Sequence, residues 1–154
     1  MVHMIRPATL DDAAAIVEHR LGMFRDMGYR DQALLAEMGA AFDIWLRRRM
    51  ASQEYLAWMA VAADGSIAGG VGLWLMDWPP HVIGRGARRG NILNAYVRPE
   101  SRRRGIARAL METALAWTRA NGVDCVVLHA SEDGRALYES LGFTPTNEMR
   151  LLAS

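Results

Sequence analysis

"RPESRRRGIARAL", residues 98–110, sets five arginines in eleven positions and then turns apolar. Three readings compete for it: a solvated charge run, a basic arm for nucleic acid, and a cradle for one phosphate. Its neighbours decide between them. The apolar run "NILNAYV" (91–97) reads as a strand that Pro99 stops. After the arginines, the pattern predicts a helix from Gly105 to Asn121, with Ile106, Ala109, Leu110, Thr113, Ala114 and Trp117 on one face and Asn121-Gly122 as the stop. A helix N-terminus offers unpaired N–H donors at a positive dipole end, which together bind phosphate. Gly105 takes away a side chain where a pyrophosphate must approach the backbone, and Ala107 keeps the next position small. Arginines on the rim add charge-assisted hydrogen bonds. The nucleic-acid arm loses on charge and composition, because the formal net charge is +1 and no aromatics are interleaved with the arginines.

The order of elements extends outward from this stretch. "HMIRPA" (3–8) reads as a first strand, and Thr9-x-x-Asp12 resembles a capping box. Ala13, Ile16, Val17, Leu21 and Phe24 place a helix over roughly 10–27. Asp31 caps a second helix, whose stripe is Leu34, Leu35, Met38, Phe42, Trp45 and Leu46, ending near Met50. Residues 55–76 are two apolar runs around Asp64-Gly65, a hairpin signal. Within the second run, the glycines of "GGVGLW" (69–74) mark a bulge or a close approach of backbone. The segment 77–90 reads as a loop; Gly84-x-Gly86-x-x-x-Gly90 does not fit a dinucleotide-binding pattern. "DCVVLHA" (124–130) is apolar enough for a central strand. Ser131 then caps a short helix that ends at Gly142, and residues 143–152 return as a final strand or hairpin. The helix 105–121 is the right-handed crossover between the strands at 91–97 and 124–130.

Composition narrows the chemistry. The 154 residues suit one domain, taken as 1–154. No apolar stretch is long enough to span a bilayer, and "MVHMIRPATLDD" has no apolar signal core, so the expectation is a cytoplasmic protein with no membrane partner. The single cysteine, Cys125, fits a reducing compartment and reads as a small buried hydrophobe. All eighteen basic residues are arginine, which excludes chemistry that needs a P-loop or Schiff-base lysine. No His/Cys/Asp/Glu set has metal-ligand spacing, so no metal is expected.

Arg102-x-x-Gly105-x-Ala107, preceded by "YVRP" and followed by "RAL", resembles the acyl-CoA signature of the GNAT superfamily of N-acetyltransferases. "VVLHASEDGRALYESLGF" (126–143) is similar to that family's second CoA segment. The resemblance implies an α/β (α+β) fold with a mixed, mostly antiparallel central sheet. It implies a β-α-β unit for acetyl-CoA, and fourth and fifth strands that splay apart at a bulge. It implies that the backbone around Arg102, Arg103, Arg104, Gly105, Ile106, Ala107 and Arg108 holds the pyrophosphate. Ala95, Tyr96 and Val97 would pair with the pantetheine arm as an added strand does, and an N–H at the bulge, that of Val97, would polarise the acetyl carbonyl. Tyr138 matches the family tyrosine near the CoA sulfur and is the general acid. Ser131 stands where many relatives carry an asparagine that contacts the arm. The implied reaction is direct attack of an amine, on a small molecule or a peptide, upon acetyl-CoA in a ternary complex. A homodimer goes with the family, although no stretch of sequence reads as its interface.

The sequence departs from the family at the base. Several relatives carry a glutamate on the fourth or fifth strand, where this chain has Asn91 and Val126. His129 alternates onto the face opposite Val126, and Asp77 and His81 flank "WPP" in the loop at 77–90. Glu132 and Asp133 favour a helix N-terminus without any catalysis. Phe24, Tyr29, Trp74 and Trp78, with Asp77 and His81, are the candidates for the acceptor site, while Trp45, Trp58 and Trp117 read as core. The missing carboxylate leaves a second possibility, a CoA-binding sensor or partner-binding module with little or no turnover.

Overall fold

In a computed structural model, residues 3–153 are described; Met1, Val2 and Ser154, the ends of the expected single domain, lie outside them. The elements are β1 (Met4–Pro7), α1 (Ala13–Asp26), α2 (Gln32–Ala51), β2 (Tyr55–Val61), β3 (Ile67–Asp77), β4 (Arg88–Val97), α3 (Ile106–Ala120), β5 (Val126–Val127) and α4 (Glu132–Ser140). The sheet runs β1-β2-β3-β4-β5, antiparallel except for the parallel pair β4-β5. The fold class expected from the sequence is the one observed, and so is the order of elements through α4.

Period-two alternation sorts the sheet into two faces. Ala60, Val71, Leu73, Ile92 and Val97 pack with Ile106, Leu110, Met111 and Ala114 of α3. Tyr55, Ala57 and Met59 face the other way, onto Ala13 and Ile16 of α1 and Phe42 and Leu46 of α2. α3 therefore buries Met111 and Thr118 as well as Ile106, Leu110 and Ala114, with Ala109, Thr113 and Trp117 half-buried at the flank.

Local signals hold at most element ends. The Asp12 carboxylate accepts from the Thr9 N–H at 2.8 Å, and its pKa is lowered chiefly by the Arg6 guanidinium bonded to it. Asp31 Oδ1 accepts from the Leu34 N–H at 3.1 Å and caps α2. Ser131 Oγ accepts from the Gly134 N–H at 3.2 Å and caps α4. Gly65, Gly122 and Gly142 take the positive φ that their turns require.

Five expectations are corrected. Leu34 is exposed, because the buried stripe of α2 runs through Leu35, Gly39, Phe42 and Leu46. The region 77–90 is shorter as a loop, since β3 continues to Asp77 and β4 begins at Arg88. The apolar run at 124–130 is an edge and not a central strand; only Val126 and Val127 pair, with Gly90 and Asn91. Residues 144–153 form no strand and are exposed throughout. Cys125 is half-buried, not fully buried, and it is a free thiol.

Candidate active site

The centre of the site is an irregularity in β4. Gly72 pairs with Leu93 and Gly70 with Tyr96, so two steps on β3 oppose three on β4. The extra residue is accommodated at Asn94, which takes φ 56° in the left-handed region that asparagine tolerates. Leu93 and Asn94 consequently both face α1 and α2, where strict alternation would have turned Asn94 toward α3. Asn94 is buried; its Nδ2 donates to the Tyr55 hydroxyl at 2.7 Å, and its Oδ1 accepts from Arg20 Nη1 at 2.9 Å. Burial holds the Tyr55 hydroxyl protonated far above the ordinary phenol range.

Beyond the bulge, β4 and β5 separate. The Arg98 N–H donates to Ala68 O across the β3–β4 ladder at 2.8 Å. N–H directions alternate along an antiparallel strand, so the N–H of Val97 points away from β3, toward the separated side. A cleft of about 530 Å³ lies there, lined by Ala95, Tyr96 and Val97 on one wall and by Ser131, Leu137 and Tyr138 on another. Its floor is the turn into α3. Gly105 is the N-cap of that helix with φ 77°, and a side chain added there would meet nothing within 4 Å, so the cradle is open at that point. Unpaired donors of the first turn of α3 and an open glycine beside them fit a pyrophosphate. The cleft thus suits acetyl-CoA as a substrate: residues 103–108 could hold its diphosphate, and Ala95–Val97 its arm.

The structure brings eleven of the twelve residues expected at the cofactor to this one cleft; Arg104 does not line it and points to solvent. The arginines differ in use. Arg102 donates from Nε to Val97 O at 2.8 Å and from Nη2 to Asp26 at 2.6 Å, and its guanidinium lies 5.4 Å from the Tyr96 ring. It fastens the loop to the end of β4 and to α1 and is not a free rim charge. Arg108 donates to Ser140 Oγ at 2.6 Å and ties α3 to α4. Arg103 is exposed in the left-handed region with φ 64°. Tyr138 packs edge-on against Phe143, and burial raises its pKa, so it carries its proton at neutral pH.

The acceptor candidates divide. Phe24 and Trp74 stand on the α1–α2 side of the bulge, Phe24 edge-on to the exposed Tyr29 and Trp74 edge-on to Trp45. Asp77, Trp78 and His81 lie at the other end of β4, because Asp77 pairs with Arg88. That is six residues from Asn94, roughly 20 Å along a strand. Their loop is fastened to Asp124 through the N–H groups of Arg85 and Gly86, Trp78 stacks under Arg89 at 3.6 Å, and the His81 ring accepts locally from Ile83 N. His129 pairs at 3.4 Å with Glu148, both exposed, outside the cleft. Asn91 donates to Met76 Sδ, and Val126 pairs with Gly90. No carboxylate therefore occupies either position where relatives carry a base. No group of three or more metal-ligating side chains occurs among the described residues.

A residue beside the cleft was passed over in the sequence. His19 of α1 is 3% exposed, its ring lies 5.3 Å from that of Tyr96, and its Nδ1 approaches Gly70 of the cleft. Its Nε2 is buried with no partner, and burial, with the Arg98 charge, lowers its pKa to about 4. A histidine three residues after Ile16 on an otherwise apolar stripe was the available signal.

Comparison with known proteins agrees with this geometry. Residues 18–143 match the acetyltransferase (GNAT) family. A GCN5-related N-acetyltransferase from Ralstonia eutropha is 40% identical, with 99% of both chains covered and a TM-score of 0.92. A predicted acetyltransferase from Clostridium acetobutylicum, solved with acetyl-CoA, shares the fold at 24% identity, covering 99% of this chain and 96% of its own, with a TM-score of 0.88. The mycothiol acetyltransferase of Beutenbergia cavernae is 45% identical over 62 residues, 38% of this chain; the match spans only 21% of that protein's length. These likenesses favour acetyl transfer over a binding-only module. With the signature Arg102-x-x-Gly105-x-Ala107 seated at the turn into α3, and with the match over 18–143, the chain belongs to the GNAT family of acetyltransferases.

Proposed function

We propose that the protein transfers the acetyl group of acetyl-CoA to a small primary amine by direct attack in a ternary complex. The observation that carries this reading is the cleft itself, which sets the open turn at Gly105, the outward N–H of Val97 and the protonated Tyr138 along one groove. The neutral amine nitrogen attacks the thioester carbonyl. The Val97 N–H stabilises the resulting oxyanion. As the carbon–sulfur bond breaks, Tyr138 gives its proton to the leaving thiolate, and the nitrogen releases a proton to solvent. With no carboxylate at Asn91 or Val126, the amine enters already neutral. The free thiol of Cys125 suits a cytoplasmic setting.

Tyr138→Phe tests the assignment. We expect kcat to fall about 100-fold, the lower range for loss of a general acid, with CoA affinity within a factor of two. Release of free CoA from acetyl-CoA, followed over a panel of amines, reports kcat. Undiminished turnover in the variant overturns the role of Tyr138, and acetyl-CoA binding without turnover of any amine overturns the transferase reading.

We also propose that the homodimer is made by the C-terminal segment. Residues 144–153 make no backbone hydrogen bond among the described residues, and Met149, Leu151 and Leu152 are 94%, 96% and 78% exposed. The outer edge of β5 lacks a partner strand, and a second copy supplies one by reciprocal pairing. Sedimentation of the full chain and of Leu151→Glu should show a dimer and a monomer, respectively; a monomeric full chain overturns the proposal.

A further inference from the structure

We infer that the acceptor amine carries a carboxylate, and that Arg20 receives it; the inference rests on the transferase reading above and names its substrate class. Arg20 projects from α1 beside the bulge, 5.1 Å from the Phe24 ring and 4.6 Å from the Phe42 ring, and is bonded through Nη1 to Asn94. It forms no salt bridge among the described residues, unlike Arg6, Arg47, Arg102, Arg108 and Arg135. Its Nε is buried without a partner, whereas its Nη2 makes no hydrogen bond and is not among the buried orphans, so it remains open to a ligand. A guanidinium held between rings, half out of water and without an anion, is an unfavourable arrangement that a bound carboxylate relieves. The planar fork matches the two oxygens of a carboxylate, and its site is held by Asn94 in a fixed orientation.

The position suits an acceptor. Asn94 bonds Arg20 on one side of the bulge, while its neighbour Ala95 lines the cofactor cleft on the other. Met23, one turn along α1 from Arg20, lines the same cleft. From Arg20 a row of contacting aromatic rings runs through Phe42 and Trp45 to Trp74. It ends at Arg49, which lies 4.3 Å from the Trp45 ring and likewise has a buried Nε without a partner. Two positive charges repel a polycationic amine.

The test compares amines that differ only in the carboxylate: phenylalanine with phenethylamine, histidine with histamine, and lysine with cadaverine. Each is titrated calorimetrically into the enzyme–CoA complex, and its turnover is measured separately by CoA release. In at least one pair the carboxylated member should bind roughly 30-fold tighter, the range of a charge-assisted hydrogen bond. Arg20→Gln should erase that advantage and Arg20→Lys should keep part of it, each with CoA affinity close to wild type. Equal or weaker binding of every carboxylated member overturns the inference on the wild-type protein alone, as does an advantage that survives Arg20→Gln. Turnover confined to the decarboxylated amines overturns the carboxylate and leaves acetyl transfer standing.

Discussion

Gly72→Ala should destabilise the fold by roughly 4 kcal/mol, a large share of the stability of a domain this size. A Cβ at Gly72 would land on the Tyr55 ring and hydroxyl. Tyr55 is 1% exposed and wedged among Trp45, Ala57 and the Asn94 amide, so it has no free direction in which to move. Displacing it breaks the Asn94 hydrogen bond and leaves two buried polar groups without partners. Overpacking and the lost bond act together, which is why the expected loss exceeds that of a simple crowded substitution. Urea denaturation reads the difference, and a loss under 1 kcal/mol would show that the site has room that the geometry denies. Gly39→Ala is the internal contrast, since its Cβ would make only ordinary contact with Leu21 and the helix would gain propensity.

The second large effect is a pH dependence of stability set by His19. Its pKa is about 4 in the folded protein and 6.5 when unperturbed, so the unfolded chain binds the proton more tightly. The sign follows from linkage: stability is complete above pH 6.5, falls as pH drops through the window from 6.5 to 4, and levels off below it. At about 1.4 kcal/mol per pKa unit, the full loss is roughly 3 kcal/mol. Unfolding free energies between pH 7 and pH 4.5 should follow that slope in the wild type and lose most of it in His19→Leu. Asp12, held down by Arg6, contributes only as pH approaches its own unperturbed value of 3.8, below this range. An equal slope in the variant would sink the assignment of the pH dependence to His19.

What was legible in the sequence is local chemistry with a fixed offset. The turn at Gly105, the Ser131 cap and the Asp64-Gly65 hairpin could be placed because short-range geometry leaves each few alternatives, and Tyr138 through the family resemblance of its segment. What was not legible depends on distant neighbours. "DCVVLHA" is apolar whether a strand is flanked on both sides or stands at an edge, and only its place last in the sheet order makes it an edge. "NILNAYV" reads as one apolar run, and the resemblance implies a bulge near Val97, but its seat at Asn94 shows only when β3 is laid beside it. The arginines of 98–108 look alike in a row, yet Arg102 is committed to Val97 and Asp26 while Arg104 stays in solvent. Arg20 and His19 were passed over for the same reason: a polar residue on a helical stripe acquires meaning only from the strand that faces it.

The irregularity in β4 joins the packing of the sheet to the geometry of the cleft at one position. Because Gly72 faces Leu93 and Gly70 faces Tyr96, the strand holds one residue more than its neighbour requires. A chain lacking Asn94 would run Leu93, Ala95, Tyr96 against Gly72, Val71, Gly70 with no gap, and every other side chain would keep its face. The sheet would close flush, with neither the left-handed residue nor the anchor for Arg20. The surplus residue thus serves two ends at once: its deletion would remove the partner of the buried Tyr55 hydroxyl together with the anchor of Arg20.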